Sequence, residues 1–311
     1  MAAETLVHAN DEESPEEELV ALLHRVLGSC NISFLFGAGV NGRAFPFFAQ
    51  FRDTIDRMHE LGLSEDGIEE ALQGCDDDAI RQKVFDTFIN EFNSKTYSLE
   101  NQSIVNLRRL LSATHRAVSR AENRHHESKR VNVFTLNYDR IVEEVLETSG
   151  YFNYVLKRDT KSFLPFNVVG YDTQTRSFLP TFAVYKLHGS VGADRQLASD
   201  GIVFPGQDKL GSIISEFYET LFAMKSELLR KNATLFVIGY SWADEHVNSV
   251  INSAIDSGLT VVFPQYSADT IIPEWLAERA IVIPPGELGE DGKPCDTTKT
   301  LAAIFEKAMN L

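Results

Sequence analysis

Cysteine is scarce in this chain: Cys30, Cys75 and Cys295 stand alone among 311 residues, with no CxxC pair. Three isolated thiols exclude a four-cysteine zinc ribbon and supply no disulfide framework. Long apolar runs are missing as well. No stretch reaches the ~18 residues needed to span a bilayer, and the opening "MAAETLVHANDEESPEEE" has no signal-peptide shape. A cytoplasmic location, with no membrane association, is the expectation. Basic charge is the third shortage, since 29 Lys and Arg against 45 Asp and Glu leave a formal net charge of −16. That balance argues against DNA binding through overall electrostatics and leaves room only for a local basic face or a basic partner.

What remains has the composition of a globular protein, with 43% hydrophobic and 24% charged residues. The length suits one large α/β domain with an insertion, or two modest domains. Residues 1–14 read as an acidic, disordered lead-in. "SPEEELVALLHRVLGS" follows as a helix with Ser14 at the N-cap, Pro15 at the first position and Gly28 as the stop. "NISFLFGAG" is a short strand running into a glycine turn. Residues 46–129 show helical periodicity without a strong strand and read as an all-helical insertion. Within it, Cys75 with its three aspartates and the pair His125 and His126 sit at helix boundaries and read as solvated surface. Then come "VNVFTLNYD" with a helix, a small β section ending in "FAVYKLHG", a short strand "IVFPG", a helix around "SEFYETLFAMKSELLRK", the strand "LFVIGYS" with a helix, and strands "LTVVFPQ" and "AIVIPP". Strands alternating with helices predict an α/β fold, a Rossmann-like doubly wound and mostly parallel sheet.

Four of the strands end in polar chemistry: "FLFGAGVN", "VFTLNYD", "YKLHG" and "LFVIGYSWADEH". In a doubly wound sheet such ends share one edge, where ligands bind. Gly37 and Gly39 either close a tight turn or let backbone approach a pyrophosphate. Asp139 and Asp244 are placed to cap the helices that follow. Asn137 is a mid-turn amide beside a buried strand and needs partners. His188 alone is a structural histidine or a catalyst.

The ordered set "GAGVNGRAFPFF", "TLNYD", "LHGS" and "IGYS" resembles the sirtuin superfamily. The longer forms "LNYDRIVEE", "IVFPG" and "VIGYSWADEHVN" resemble the sirtuin-like domains of bacterial anti-phage defence proteins, over about residues 30–45 and 130–265. The resemblance implies an NAD-binding Rossmann-like domain made of residues 15–45 and 130–311. It implies NAD+ as substrate, bound by Gly37, Ala38, Gly39, Val40, Asn41, Asp139, Gly239, Tyr240 and Ser241, with Asn137 and His188 catalytic and no metal in the site. Only "SVGADRQLASDG" separates "LHG" from "IVFPG", so the zinc ribbon of deacetylating sirtuins has no room, no zinc is expected, and deacylation is in doubt. "FPFF" stands where the family has an Asp before Phe. NAD+ glycohydrolysis to nicotinamide and ADP-ribose is the implied activity. The implied partners are further copies of the chain and a HerA-type hexameric ATPase, with nucleic acid reached only through that partner. A DNA nuclease using "DEH" at 244–246, a silent NAD or ADP-ribose sensor, and an unrelated structural protein are the rival readings.

Overall fold

The computed structural model describes residues 14–63, 71–72, 74–121, 129–149, 152–157, 167–170, 181–198, 202, 218–289 and 292–311. The acidic lead-in through residue 13, His125 and His126, and the segment expected to form the "IVFPG" strand beyond Ile202 lie outside them.

The first helix, α1 (Pro15–Ser29), starts as its sequence dictates. Ser14 Oγ accepts from the Glu17 N–H at 3.3 Å, and the Glu17 carboxylate returns a bond to the Ser14 N–H at 2.8 Å. This reciprocal cap satisfies two amides that the helix cannot bond itself. The helix runs through Gly28 to Ser29, one residue past the expected stop. Next come β1 (Asn31–Phe36), two 3-10 turns (Ala38–Asn41 and Phe48–Gln50), α2 (Arg52–Glu60), α3 (Asp78–Ser94) and α4 (Gln102–Arg120). Asp77 caps α3, accepting from the Ala79 N–H at 2.8 Å, and the neighbouring Cys75 is buried rather than solvated as expected. After β2 (Arg130–Thr135) follow α5 (Ile141–Thr148), β3 (Phe152–Lys157), β4 (Asn167–Gly170), β5 (Thr181–Lys186) and α6 (Tyr218–Leu228). The chain continues with β6 (Ala233–Ile238), α7 (Glu245–Asp256), β7 (Thr260–Pro264), α8 (Glu274–Ala277), β8 (Ala280–Ile283) and α9 (Thr297–Ala308).

The strands make one sheet in the order β4-β3-β5-β2-β1-β6-β7-β8, parallel throughout except where β4 runs against β3. The expected doubly wound, mostly parallel sheet is the one observed. Both faces are covered, because alternate residues of one strand join different cores. Ile32, Phe34 and Phe36 pack with α1, α4, α5 and α9, while Leu35 faces Leu235, Val237 and the helices α6 and α7. α4 buries Ile104, Leu107, Leu110 and Leu111 in the first of these cores, so it covers the sheet. α9 had no counterpart in the sequence reading. Leu301, Ala302, Phe305 and Ala308 recur at helical spacing and lie on α4 and α1.

β5, β2, β1 and β6 are adjacent and parallel, so all four polar strand ends emerge side by side. From β1 the chain proceeds to β2 on one side and later returns to β6 on the other. That reversal opens a crevice beyond the carboxyl ends of β1 and β6.

Candidate functional site

A cavity of about 1130 Å³ occupies this crevice. Gly37, Ala38, Gly39, Asn41, Asn137, Asp139, His188, Gly239, Tyr240 and Ser241 all line it, from four strand ends separated by up to two hundred positions in the chain. Val40, grouped with them on sequence, instead points into the hydrophobic core at 2% exposure.

Backbone contact between the ends of β1 and β6 forms the floor. The Gly37 N–H donates to Ile238 O and the Gly39 N–H to Gly239 O, both at 3.0 Å, which extends the sheet ladder into the turns. A Cβ on Gly37 would lie 2.4 Å from Gly239 O, and one on Gly239, whose φ is +65°, would lie 2.2 Å from Val40 N. Only glycine fits such an approach. These amides are therefore spent on protein carbonyls, as is that of Val40 on Gly37 O. The glycines bring two turns together; they do not offer those N–H groups to a phosphate. Positive charge on the cavity wall comes from Arg43 and Lys293, which the sequence reading did not single out.

The "TLNYD" turn is tied to the glycine turn at two points. Asn137 Nδ2 donates to Gly37 O at 3.2 Å, and its own N–H donates to Thr135 Oγ1 at 3.1 Å. These are the partners that its position required. Asn41 Nδ2 donates to Asp139 Oδ2 at 2.8 Å, while Asp139 Oδ1 accepts the N–H of Ile141, the first residue of α5, at 3.0 Å; the N-cap position expected of Asp139 is held by Arg140. Burial pushes the Asp139 carboxyl above its usual range, against the opposing pull of Lys186, the Ile141 amide and Asn41. Asn41 is 2% exposed and its Oδ1 has no hydrogen-bond partner. A buried amide oxygen on a cavity wall is a position for a ligand donor.

Beneath the turn lies a device absent from the sequence reading. Lys186, fully buried at the end of β5, donates to the Asp139 carbonyl at 2.6 Å and pairs with the equally buried Glu143 of α5 at 3.3 Å. A lysine within "FAVYKLHG" and a glutamate on the apolar face of "IVEEVLE" were the available signals, because neither is left buried without the other.

His188, 6% exposed, lies just beyond β5. Its Nε2 is 3.2 Å from His246 Nε2 and 4.0 Å from Asp244 Oδ1. Asp244 stands at the N-cap position of α7, yet its side chain makes no capping bond, contrary to the capping role expected of it. It faces the cavity instead. The turn carrying both groups is pinned by Asn248, whose Nδ2 donates to Trp242 O at 2.8 Å. Trp242 itself holds a left-handed φ of +62° among Tyr240, Phe263 and Trp275. A bulky residue in that region stores strain of the kind found at functional turns. The cavity is also lined by Phe45, Phe48, Phe51, Phe88 and Phe92.

The family model described as "SIR2-like domain" matches residues 131–281. Curated protein sequences give no match. Among solved structures, one described as the structural basis for the mechanism and regulation of Sir2 enzymes superposes with a TM-score of 0.50 at 12% identity. The match covers 96% of this chain and 98% of that one. A Sir2 homologue in complex with NAD superposes with a TM-score of 0.49 at 12% identity, over 97% of each chain. Residues 131–281 thus resemble a SIR2-like domain, and the fold is similar to that of a Sir2 enzyme. Among the described residues no helix is long and apolar enough to cross a membrane.

Proposed function

We infer, from a SIR2-like domain whose polar strand ends meet in one cavity, that this protein hydrolyses NAD+ to nicotinamide and ADP-ribose. The observation carrying the reading is the placement of Asn137 and His188 on the wall of one cavity, above a floor where glycines alone permit the approach of two turns. Cleavage of a bond between nicotinamide and ribose passes through an oxocarbenium-like state. Such a site needs an oriented oxygen nucleophile and a base near neutral pKa. The Asn137 amide has its nitrogen on Gly37 O, which turns its oxygen to the task of holding a water or a ribose hydroxyl. His188 accepts the proton released there. Asn41 Oδ1 takes a donor from the substrate, and Arg43 and Lys293 balance the pyrophosphate charge. Asp139 braces the Asn137 turn through its bonds from the Ile141 N–H and from Asn41.

The reading extends, on the resemblance of the motifs, to NAD+ depletion in anti-phage defence. Activity would be gated by assembly, with further copies of the chain and with a HerA-type ATPase as partner. Chromatography of NAD+ incubated with the purified chain, alone and with the neighbouring gene's product, tests it. Nicotinamide and ADP-ribose in equal amounts are expected from the assembled form. NAD+ left intact in every assembly state overturns the reading.

A further inference from the structure

We propose that His188, Asp244 and His246 form a binding site for a borderline divalent cation such as Zn2+ at the wall of the cavity. Their ligand atoms lie within 4.8 Å of one another, the one such group among the described residues. The residues come from two elements, the loop after β5 and the start of α7, and converge through tertiary structure rather than through a local sequence repeat. The two imidazoles meet through their Nε2 atoms, 3.2 Å apart, with ring centroids 5.4 Å apart and planes inclined by 40°. Zinc binds imidazole nitrogen at about 2.1 Å, so an ion touching both atoms at that separation would subtend an angle of roughly 100°, close to tetrahedral. Asp244 Oδ1, 4.0 Å from His188 Nε2, must draw inward to complete a three-ligand face.

The chemistry of the set selects the ion. Two nitrogens and one carboxylate suit zinc and its first-row neighbours, whereas magnesium and calcium take oxygen ligands. A chain of net charge −16 favours cation capture in general, and the Asp244 carboxylate neutralises part of the charge locally. His188 and Asp244 line the cavity, so the ion's remaining position faces water or substrate. An ion here occupies the nitrogen of His188. A metal-bound imidazole cannot also accept a proton at that atom, so zinc silences the base. This consequence, unlike the site itself, rests on the hydrolase reading above.

The test is titration of the 311-residue chain with Co2+, followed by its visible absorption, and with Zn2+ in competition with a chromophoric chelator. One ion per chain is expected at micromolar concentration. Replacement of His246 by alanine should weaken binding about tenfold or more, and His246→Gln, which keeps the volume, serves if the alanine variant loses its thermal transition. No binding by the natural chain, or equal binding by the folded His246 variant, overturns the proposal and leaves a hydrogen-bonded histidine pair. With nicotinamide release as a second readout, zinc should inhibit the natural chain and chelator should restore it. Zinc bound without inhibition overturns the silencing step. A chain that binds zinc and never releases nicotinamide contradicts the hydrolase reading and leaves the metal site standing.

Discussion

Asn137 holds the carbonyl of Gly37 through its side-chain nitrogen at 3.2 Å, across one hundred positions of sequence. The bond locks the end of β2 to the end of β1 and sets which end of the amide faces the cavity. An asparagine so fixed is preorganised, and it needs no reordering when substrate arrives.

The floor beneath it depends on the absence of a side chain at Gly37. Replacement by alanine puts a methyl 2.4 Å from Gly239 O and 2.7 Å from Tyr240 Cα, both backbone atoms that cannot swing aside. We expect Gly37→Ala to destabilise the fold by about 1–3 kcal/mol or more and to abolish NAD+ turnover. Thermal unfolding and a nicotinamide assay check this together, and a variant with natural stability and turnover would contradict it.

Asn41→Ala removes one of the donors to the buried Asp139 carboxylate, at a cost of about 1–3 kcal/mol. The effect should depend on pH with a definite sign. Burial already raises the folded-state pKa of Asp139, and loss of the Asn41 donor raises it further. A raised folded pKa means stability that is present below the unfolded value and lost as pH rises. The deficit of the variant relative to the natural chain should therefore widen from acid towards neutral pH in chemical denaturation. A deficit independent of pH would contradict this, showing that Asp139 does not titrate over that range.

Lys186→Met leaves Glu143 buried without its partner and should cost about 3–5 kcal/mol. The double replacement Lys186→Met with Glu143→Leu removes both charges and should recover most of that stability. Turnover should stay low, since the Asp139 carbonyl has still lost its 2.6 Å donor and the Asn137 turn its brace. Natural activity in the stable double variant would make the pair a matter of folding alone.

The sheet was legible because parallel strands buried on both faces read as apolar runs broken by turns. "NISFLF", "VNVF" and "ATLFVI" carry that pattern without ambiguity, and their polar endings gave the cavity wall before any contact was known. Pairwise relations were not legible. Asp244 and His246 read as a helix start or as part of a "DEH" cluster on one element, because sequence shows neighbours along the chain and not the loop after β5 lying opposite. Lys186 and Glu143 escaped for the same reason, since a buried ion pair is recognisable only when both members are placed. Side-chain direction within the glycine turn was not legible either: a 3-10 turn directs successive side chains to different sides, and Val40 faces the core while Asn41 lines the cavity. The apolar spacing of α9 is present in the sequence, but an apolar stripe alone does not say that it lies on α1 and α4.

The central claim separates binding from chemistry at Asn137. Calorimetry of NAD+ binding and chromatographic release of nicotinamide should be measured on Asn137→Ala beside the natural chain, in the assembly state that is active. We predict that the variant binds NAD+ within about tenfold of the natural chain, as loss of one hydrogen bond of ~1.4 kcal/mol allows, and releases no nicotinamide. Full turnover by Asn137→Ala with NAD+ bound would contradict the account.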